Sequence, residues 1–493
     1  MPNTKIRKLS HISMAQMILF AFLCVYYSWV SGFFLYHNDI GWHLATGDLI
    51  LRSRAIPATD PWSYHSQGVP WYNMAWLWDV LASLIFSYTG GSGLLACTIA
   101  IGVVTLCSLA QLALKMGARH DITLIFAIYV GLVFPFYAPP DIFLCIAPQQ
   151  ITLLFTALLL NRLYHFQATR SIIDYTIITL LFIMWCNMHG GFMIGHVMIA
   201  LMLAVALAKR NRALAGACAV LLTWSLLAVL INPYGFHIIQ AVRGTLGHVY
   251  QHNISEWKPL YKPDISLVFL VPSLFYCTWF MLALPQYRHY RKDSVFSISL
   301  LLLSVLLLLK GVLALRYFAL FLLASIPVTS LGITRIRPEQ KNHKEPLWPW
   351  PLPTIALLAG AGLYIMNMKN PAPVSMPLDR DPKAEIQYIE AHYPNARILN
   401  HWNFGSFLIY ESHGHLHPFI DGRMGTAYPD AIFTDMQQLY DSKDWDIILN
   451  KHHIDVIIWP SVDTDMLAWF DHHPQWKKFY QGPLAVVLVK QGL

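Results

Sequence analysis

The sequence predicts a mostly α-helical membrane protein. A polytopic helical domain of about eleven spans covers residues 1–367, and a small α/β or α+β domain follows over 368–493. Three observations carry this reading. The 493-residue chain is 56% hydrophobic and only 12% charged, with a mean hydropathy of +0.45, well outside the balance of soluble domains. Apolar runs long enough to cross about 30 Å of hydrocarbon recur down to residue 367. Beyond Met368 charge becomes frequent and mixed, and the apolar runs shorten.

The runs are 14–36, 93–114, 122–138, 147–165, 172–188, 191–208, 213–231, 265–284, 295–313, 316–333 and 351–367. The first exceeds the apolar core of a signal peptide and lacks a convincing cleavage site, so it reads as an anchor. Basic residues order the runs. Lys5, Arg7 and Lys8 precede the first, and with this span count the loops Lys115–Arg119, Arg162–Arg170, Lys209–Arg212, Arg288–Lys292 and Arg335–Lys344 all fall on the same side. The positive-inside rule makes that side cytoplasmic. Residues 368–493 then lie outside.

The stretch Ala75–Tyr88 is apolar but shorter than a span needs, and it contains Asp79. Counting it as a span would throw Lys115 and Arg119 outside. It is expected to lie at the outer surface as a helix, with Trp76 and Trp78 at headgroup level.

In the external domain, strands are expected at Phe407–Tyr410, Pro418–Asp421, Val456–Trp459 and Leu484–Val489, and helices at Asp381–His392 and Ala431–Tyr440. All seven cysteines lie at or before Cys277, so this domain has no disulfide framework. The formal charge of +7 comes largely from the cytoplasmic loops. It reports orientation and lipid contact, not nucleic-acid binding.

The unusual polar residues gather on the outer face. Asp39, Trp42 and His43 follow the first run, and Asp60 precedes Pro61 in the same long loop. Asp141 lies in the second loop, His189 in the tight reversal Trp185–Phe192, Glu256 beside Trp257, and Lys310 and Arg316 at the last outer turn. No Walker loop, dinucleotide fingerprint, HExxH or serine elbow occurs. Acids, cations and aromatics at one membrane face suit chemistry on a lipid-borne phosphate. A carboxylate accepts the proton of an incoming nucleophile, and cations stabilise charge developing on a departing phosphate.

Asp39 is therefore expected to act as general base or to orient the acceptor, and Lys310 with Arg316 to clamp the phosphate. Trp42, His43, Asp60, His189 and Glu256 join the donor-binding set. Each has a structural alternative. Asp39 can cap the helix that follows it, and His43 can be an interfacial hydrogen-bonded histidine. Asp60 suits a turn, Asp141 a loop cap, and the glycines around His189 simple helix packing. Glu256 can anchor its loop, and Arg316 can snorkel to the headgroups. The alternation of His413, His415 and His417 would place three imidazoles on one strand face, as a polar surface or a metal patch. Asp421–Gly422–Arg423 reads as a turn with an Asp–Arg pair, and secondly as a cover over the site.

Two segments carry a family resemblance. Asp39-Ile40-Gly41-Trp42-His43-Leu44 is similar to the D-P-W/Y-F-N/H-Y-R stretch of oligosaccharyltransferase catalytic subunits at the acid, one aromatic and the polar position. His401-Trp402-Asn403-Phe404-Gly405, with Ile420-Asp421-Gly422-Arg423 downstream, resembles their W-W-D-Y-G motif and the turn beyond it. The chain thus looks like a GT-C superfamily membrane glycosyltransferase. The resemblance implies a sugar donor linked to a polyprenyl phosphate, an acceptor glycan, lipid or protein, inverting displacement, and the inner membrane of a bacterial cell envelope. Trp402, Asn403, Asp421 and Arg423 become candidates for binding the acceptor or covering the site.

The departures matter. Asn403 replaces the family's aspartate, and the acidic pair of the second outer loop is represented at most by Asp141. Recognition of a peptide sequon and strict metal dependence therefore do not carry over, though a divalent metal with Asp141 among its ligands stays open. The Trp42-His43-Leu44 and His189-Gly190-Gly191-Phe192 patterns point instead toward bacterial glycosyltransferases of unassigned acceptor. Two other classes remain at this stage: a polytopic transporter of envelope glycan or lipid, and a catalytically silent assembly protein.

Overall fold

The computed structural model describes residues 39–133, 147–246, 257–260, 267–287, 293–338, 382–441 and 445–493. The expected spans 14–36 and 351–367, the boundary at 368, Asp141 and Glu256 lie outside them.

The helical part comprises α1 (Ile40–Ser53), α2 (Trp76–Met116), α3 (His120–Val133), α4 (Gln149–Thr169), α5 (Ile172–Cys186), α6 (Met193–Ala208), α7 (Arg212–Ala228), α8 (Ile238–Leu246), α9 (Leu267–Ala283), α10 (Val295–Leu313) and α11 (Leu315–Ile336). Each expected run from 93–114 to 316–333 falls on one of them. Among the described residues, Trp76–Met116, Gly190–Ala208, Val295–Leu313 and Leu315–Ile336 are long and apolar enough to cross a membrane. This is a membrane protein. The loops read as cytoplasmic carry helix N-caps: Ser171 forms a capping box with Asp174, and Asn211 and Ser294 accept from the first turns of α7 and α10. Such caps satisfy backbone donors that a helix leaves unpaired.

The stretch read as a surface helix is the first limb of α2. Gly90, at φ 63 and ψ −160, breaks the helix there, a conformation open to glycine and strained for other residues. The second limb carries the expected span.

The C-terminal domain contains α12 (Lys383–His392), α13 (Gly405–Glu411), α14 (Asp430–Asp441), α15 (Trp445–Lys451) and α16 (Thr464–Asp471) around a sheet of β1 (Ile398–Asn400), β2 (Val456–Pro460), β3 (Trp476–Gln481) and β4 (Ala485–Lys490). The sheet order is β1-β2-β4-β3. β1 runs parallel to β2, and β4 antiparallel to both β2 and β3. The central strands read VIIW and AVVLV and are buried throughout, as expected for strands covered on both faces.

Three expectations fail here. Phe407–Tyr410 belongs to α13, not to a strand. Phe407, Leu408 and Ile409 are all buried, and a short apolar run buried all round has no period that separates strand from helix. Pro418–Asp421 forms no strand either. Proline lacks a ladder donor, and the side chain of Asn400 serves the segment instead, accepting from the Phe419 N–H at 2.8 Å and donating to the Ile420 carbonyl at 2.8 Å. The histidines 413, 415 and 417 lie in a turn, with His413 and Gly414 at φ 52 and 82. His415 meets Glu390 at 2.9 Å and His417 the Trp62 carbonyl at 2.7 Å, so they do not converge on a metal.

The two parts share their cores. Trp42, Trp62 and Trp71 pack with Phe419, Tyr428, Phe433 and Trp459 of the C-terminal domain. Ile40, Leu44 and Trp78 pack with Phe407, Leu408 and Val487. Burying large apolar side chains at about 1.5–3 kcal/mol each makes this a fixed union. Helix α1 is wedged in the middle. A Cβ on Gly41 would come within 2.5 Å of the Ser406 carbonyl, and one on Gly47 would overlap the Asp79 backbone.

The N-terminus of α13 yields a test. His401 Nδ1 accepts from the Asn403 N–H at 3.2 Å, which requires an unprotonated nitrogen, and burial lowers the imidazole from 6.5 to about 4. Between those values the unfolded chain binds a proton that the folded chain refuses. His401 is therefore expected to contribute stability above pH 6.5 and to lose it as pH falls toward 4. Thermal unfolding across that window should flatten in His401→Asn, which keeps the cap without titrating. An unchanged slope would contradict this.

Candidate functional site

A cavity of about 610 Å³ opens where the loop 54–75, the helical part and the C-terminal domain meet. Asp39, Trp42, His43, His189, Lys310, Arg316 and Arg423 all line it. Asp60, Asp421, Trp402 and Asn403 do not line it. Much of the rest of the lining is apolar and includes Ile194, Val197, Leu303, Leu306, Leu307 and Leu320.

Asp39 sits at the N-cap position of α1, yet its side chain makes no capping hydrogen bond. Its carboxylate instead faces the cavity and packs on Gly422, where a Cβ would overlap it. The N-terminus of α1 and the turn of the C-terminal domain thus meet through that glycine. The Trp42 N–H, an orphan donor of the first turn, is taken by Ser406 Oγ at 2.8 Å.

His43 Nδ1 lies 2.5 Å from Asp79 Oδ1, and Asn73 Nδ2 donates to the other carboxylate oxygen at 2.6 Å. The carboxylate takes the Nδ1 side of the ring, and Nε2 lies on the edge away from Asp79. The ring is fixed by stacking on Trp42, 3.5 Å between centroids, and by the edge of Trp78 at 4.8 Å. Asp79 is the main residue that sequence reasoning passed over. A carboxylate inside an apolar helix needs a partner, and that signal was present.

Lys310 and Arg316 come together because the chain breaks between α10 and α11. Ala314 is extended, at φ −153 and ψ 116. The strap 257–260 crosses the break, with the Leu315 N–H donating to the Lys258 carbonyl at 3.1 Å and the Leu260 N–H to the Val312 carbonyl at 2.9 Å. The Arg316 guanidinium lies 4.2 Å from the Trp257 ring centroid, a cation–π placement that aims it along the cavity wall.

His189 caps the turn Gly190–Phe192 by accepting from the Gly191 N–H, and its Nδ1 also meets Thr152 Oγ1 at 2.6 Å. Burial first, then Arg316 and His43, push the imidazole down to about 3. Thr152 carried no sequence signal, since a hydroxyl in an apolar run is ordinary.

Arg423 closes the cavity from the C-terminal side. Its Nε and Nη2 donate to Asp421 at 2.9 and 2.7 Å, and Nη1 pairs with Asp60. The Asp–Arg pair expected in this turn is present. Asp60 is held in turn by the Trp62 N–H at 2.9 Å and by Ser63. Tyr428 donates to Asp421 at 2.7 Å, its phenol pushed up by burial and by that carboxylate. The guanidinium also lies 5.1 Å from the Trp71 ring. Trp402 packs near Phe433 at 5.8 Å, while Asn403 stands in the turn Trp402–Phe404.

Asp39 is the only carboxylate among the described lining residues. No three His, Cys, Asp or Glu side chains among the described residues are placed to hold a metal ion.

No protein-family profile and no curated protein sequence matches this chain. Its shape is similar to solved structures of an oligosaccharyltransferase from Archaeoglobus fulgidus. One, tethered with an acceptor peptide containing the NVT sequon, aligns with TM-score 0.56 at 10% identity over 90% of this chain and 69% of that chain. Another, in complex with Zn and sulfate, aligns with TM-score 0.54 at 11% identity over 95% and 73%. At such identities the likeness shows the fold alone: a helical part with a small mixed domain after it.

Arg423→Ala would leave Asp60 and Asp421 buried without their cation. The expected cost is about 3–5 kcal/mol, read as a lowered unfolding temperature together with faster proteolysis between residues 54 and 75. A variant as stable and as protease-resistant as wild type would show that the cluster does not hold the two parts together.

Proposed function

We propose that this protein is a membrane glycosyltransferase that moves a sugar or oligosaccharide from a polyprenyl-phosphate-linked donor to an extracytoplasmic glycan, lipid or protein acceptor. The observation that carries this reading is the meeting of Asp39, Lys310 and Arg316 in one cavity that also has a large apolar lining. A prenyl chain suits the leucine wall. The phosphate suits Lys310 and Arg316, and the sugar suits the Trp42, Trp71 and Tyr72 side, since aromatic rings offer apolar faces beside polar edges. The acceptor enters at Asp39, under Gly422 and Arg423.

The step is a direct displacement. The nucleophile's bond to the anomeric carbon forms as the bond from that carbon to the phosphate oxygen breaks, which inverts the centre. The bonding pair leaves on the phosphate, where Lys310 and Arg316 meet the added charge. The proton passes from the nucleophile to Asp39. The basic loops orient the chain with its N-terminus in the cytoplasm and residues 368–493 outside, at the inner membrane of a bacterial envelope.

Asp39→Asn keeps the shape but cannot take a proton, so transfer is expected to fall about 10²–10⁴-fold with donor binding retained. Normal transfer by a folded Asp39→Asn protein would remove Asp39 as the base, and lost donor binding would make Asp39 a ligand-positioning group. Arg316→Ala is expected to weaken donor binding by roughly 10–100-fold, the scale of a hydrogen bond to a charged group. Unaltered binding and transfer in that variant would leave Arg316 as an interfacial anchor only.

A further inference from the structure

Among the described residues two imidazoles line the cavity, and the surroundings of one of them fix its tautomer. His189 Nδ1 accepts from the Gly191 N–H at 3.1 Å and meets Thr152 Oγ1 at 2.6 Å. That hydroxyl already accepts from Trp185 Nε1 at 3.0 Å, so its own proton is directed at Nδ1. A backbone N–H can donate only to a bare ring nitrogen. Nδ1 is therefore unprotonated, and the proton of the neutral ring sits on Nε2. His43 is held differently, with its Nδ1 2.5 Å from the Asp79 carboxylate.

A phosphate oxygen offers lone pairs and no proton. It matches the N–H of His189. We infer that His189 is a fixed, uncharged hydrogen-bond donor to a phosphate oxygen of the lipid-linked donor. This rests on the prenyl-phosphate reading above.

The absence of charge on His189 has a physical basis. Burial lowers its value to about 3, helped by Arg316 and His43. Lys310 and Arg423 are the other cations lining the cavity, and Asp39 is the anion. A further positive charge beside Arg316 would add repulsion whenever the cavity is empty, while a neutral N–H adds a directional bond without it. Gly191 is part of the device, since a Cβ there would overlap the Thr152 side chain.

Farnesyl phosphate, with farnesol as control, tests this on the full-length protein in detergent by titration calorimetry at pH 5.5 and pH 8. His189→Asn retains an acceptor for the Gly191 N–H but loses the ring N–H. It is expected to weaken farnesyl phosphate binding roughly tenfold, by the same factor at both pH values, and to leave farnesol binding unchanged. The ratio to wild type cancels the ligand's own titration. Should His189→Asn fail to fold, His189→Ala provides the same comparison. Unchanged affinity for farnesyl phosphate would overturn the role of His189. A loss much greater at pH 5.5 would mean that an imidazolium, not a neutral donor, makes the contact. If wild type binds farnesol and farnesyl phosphate alike, the prenyl-phosphate reading itself fails.

Discussion

Arg423 cannot be buried without its anions, and that requirement joins the outer loop to the C-terminal domain. Its side chain and those of Asp60 and Asp421 are 0–1% exposed. Each charge taken from water carries a desolvation penalty of several kcal/mol, recovered only if geometry is good and the remaining hydrogen-bonding positions are filled. They are filled here: Asp421 also accepts from Tyr428, and Asp60 from Ser63 and the Trp62 N–H. Because one carboxylate comes from the loop and the other from the domain, the cluster is satisfied in a single arrangement of the two. The buried tryptophans of the loop supply the bulk attraction, and the ions supply the register.

That register determines what the cavity is. With Arg423 in place, Gly422 lies against Asp39, and the acid of α1 is turned toward the cavity instead of capping its own helix. The helical part contributes the rest through two interruptions of its spans. The break at Ala314 brings Lys310 and Arg316 to one wall, and the reversal at His189–Phe192 brings in an imidazole. The result is polar at the junction and apolar between the helices, the asymmetry that a lipid-linked ionic ligand requires.

Much of this was legible in the sequence, and the reasons differ by level. Helices dominated by apolar length and bounded by basic loops could be read individually, from α2 through α7 and from α9 through α11; α8, short and amphipathic, could not. The central strands β2 and β4 could also be read, because they are unbroken β-branched runs. The candidate residues Asp39, Trp42, His43, His189, Lys310, Arg316 and Arg423 were named from residue type and placement, and they do meet. What was hidden is what depends on contacts distant in sequence. Asn400 replaces a strand partner for residues 418–421 through its side chain alone. Gly414 turns the alternating histidines away from any strand. The pairing of Asp60 with Arg423 spans the whole chain, so Asp60 looked like a local turn residue, and Asp79 looked like an impurity in an apolar helix until His43 was beside it.

The central claim, that the cavity takes a prenyl-phosphate sugar and passes the sugar on, is tested most directly by mass spectrometry of envelope glycans and glycolipids from cells with and without the protein. The account predicts that, without it, one glycan or glycolipid lacks a sugar unit while a polyprenyl-phosphate-linked sugar accumulates. Identical profiles from both cells, with no accumulated donor, would contradict it.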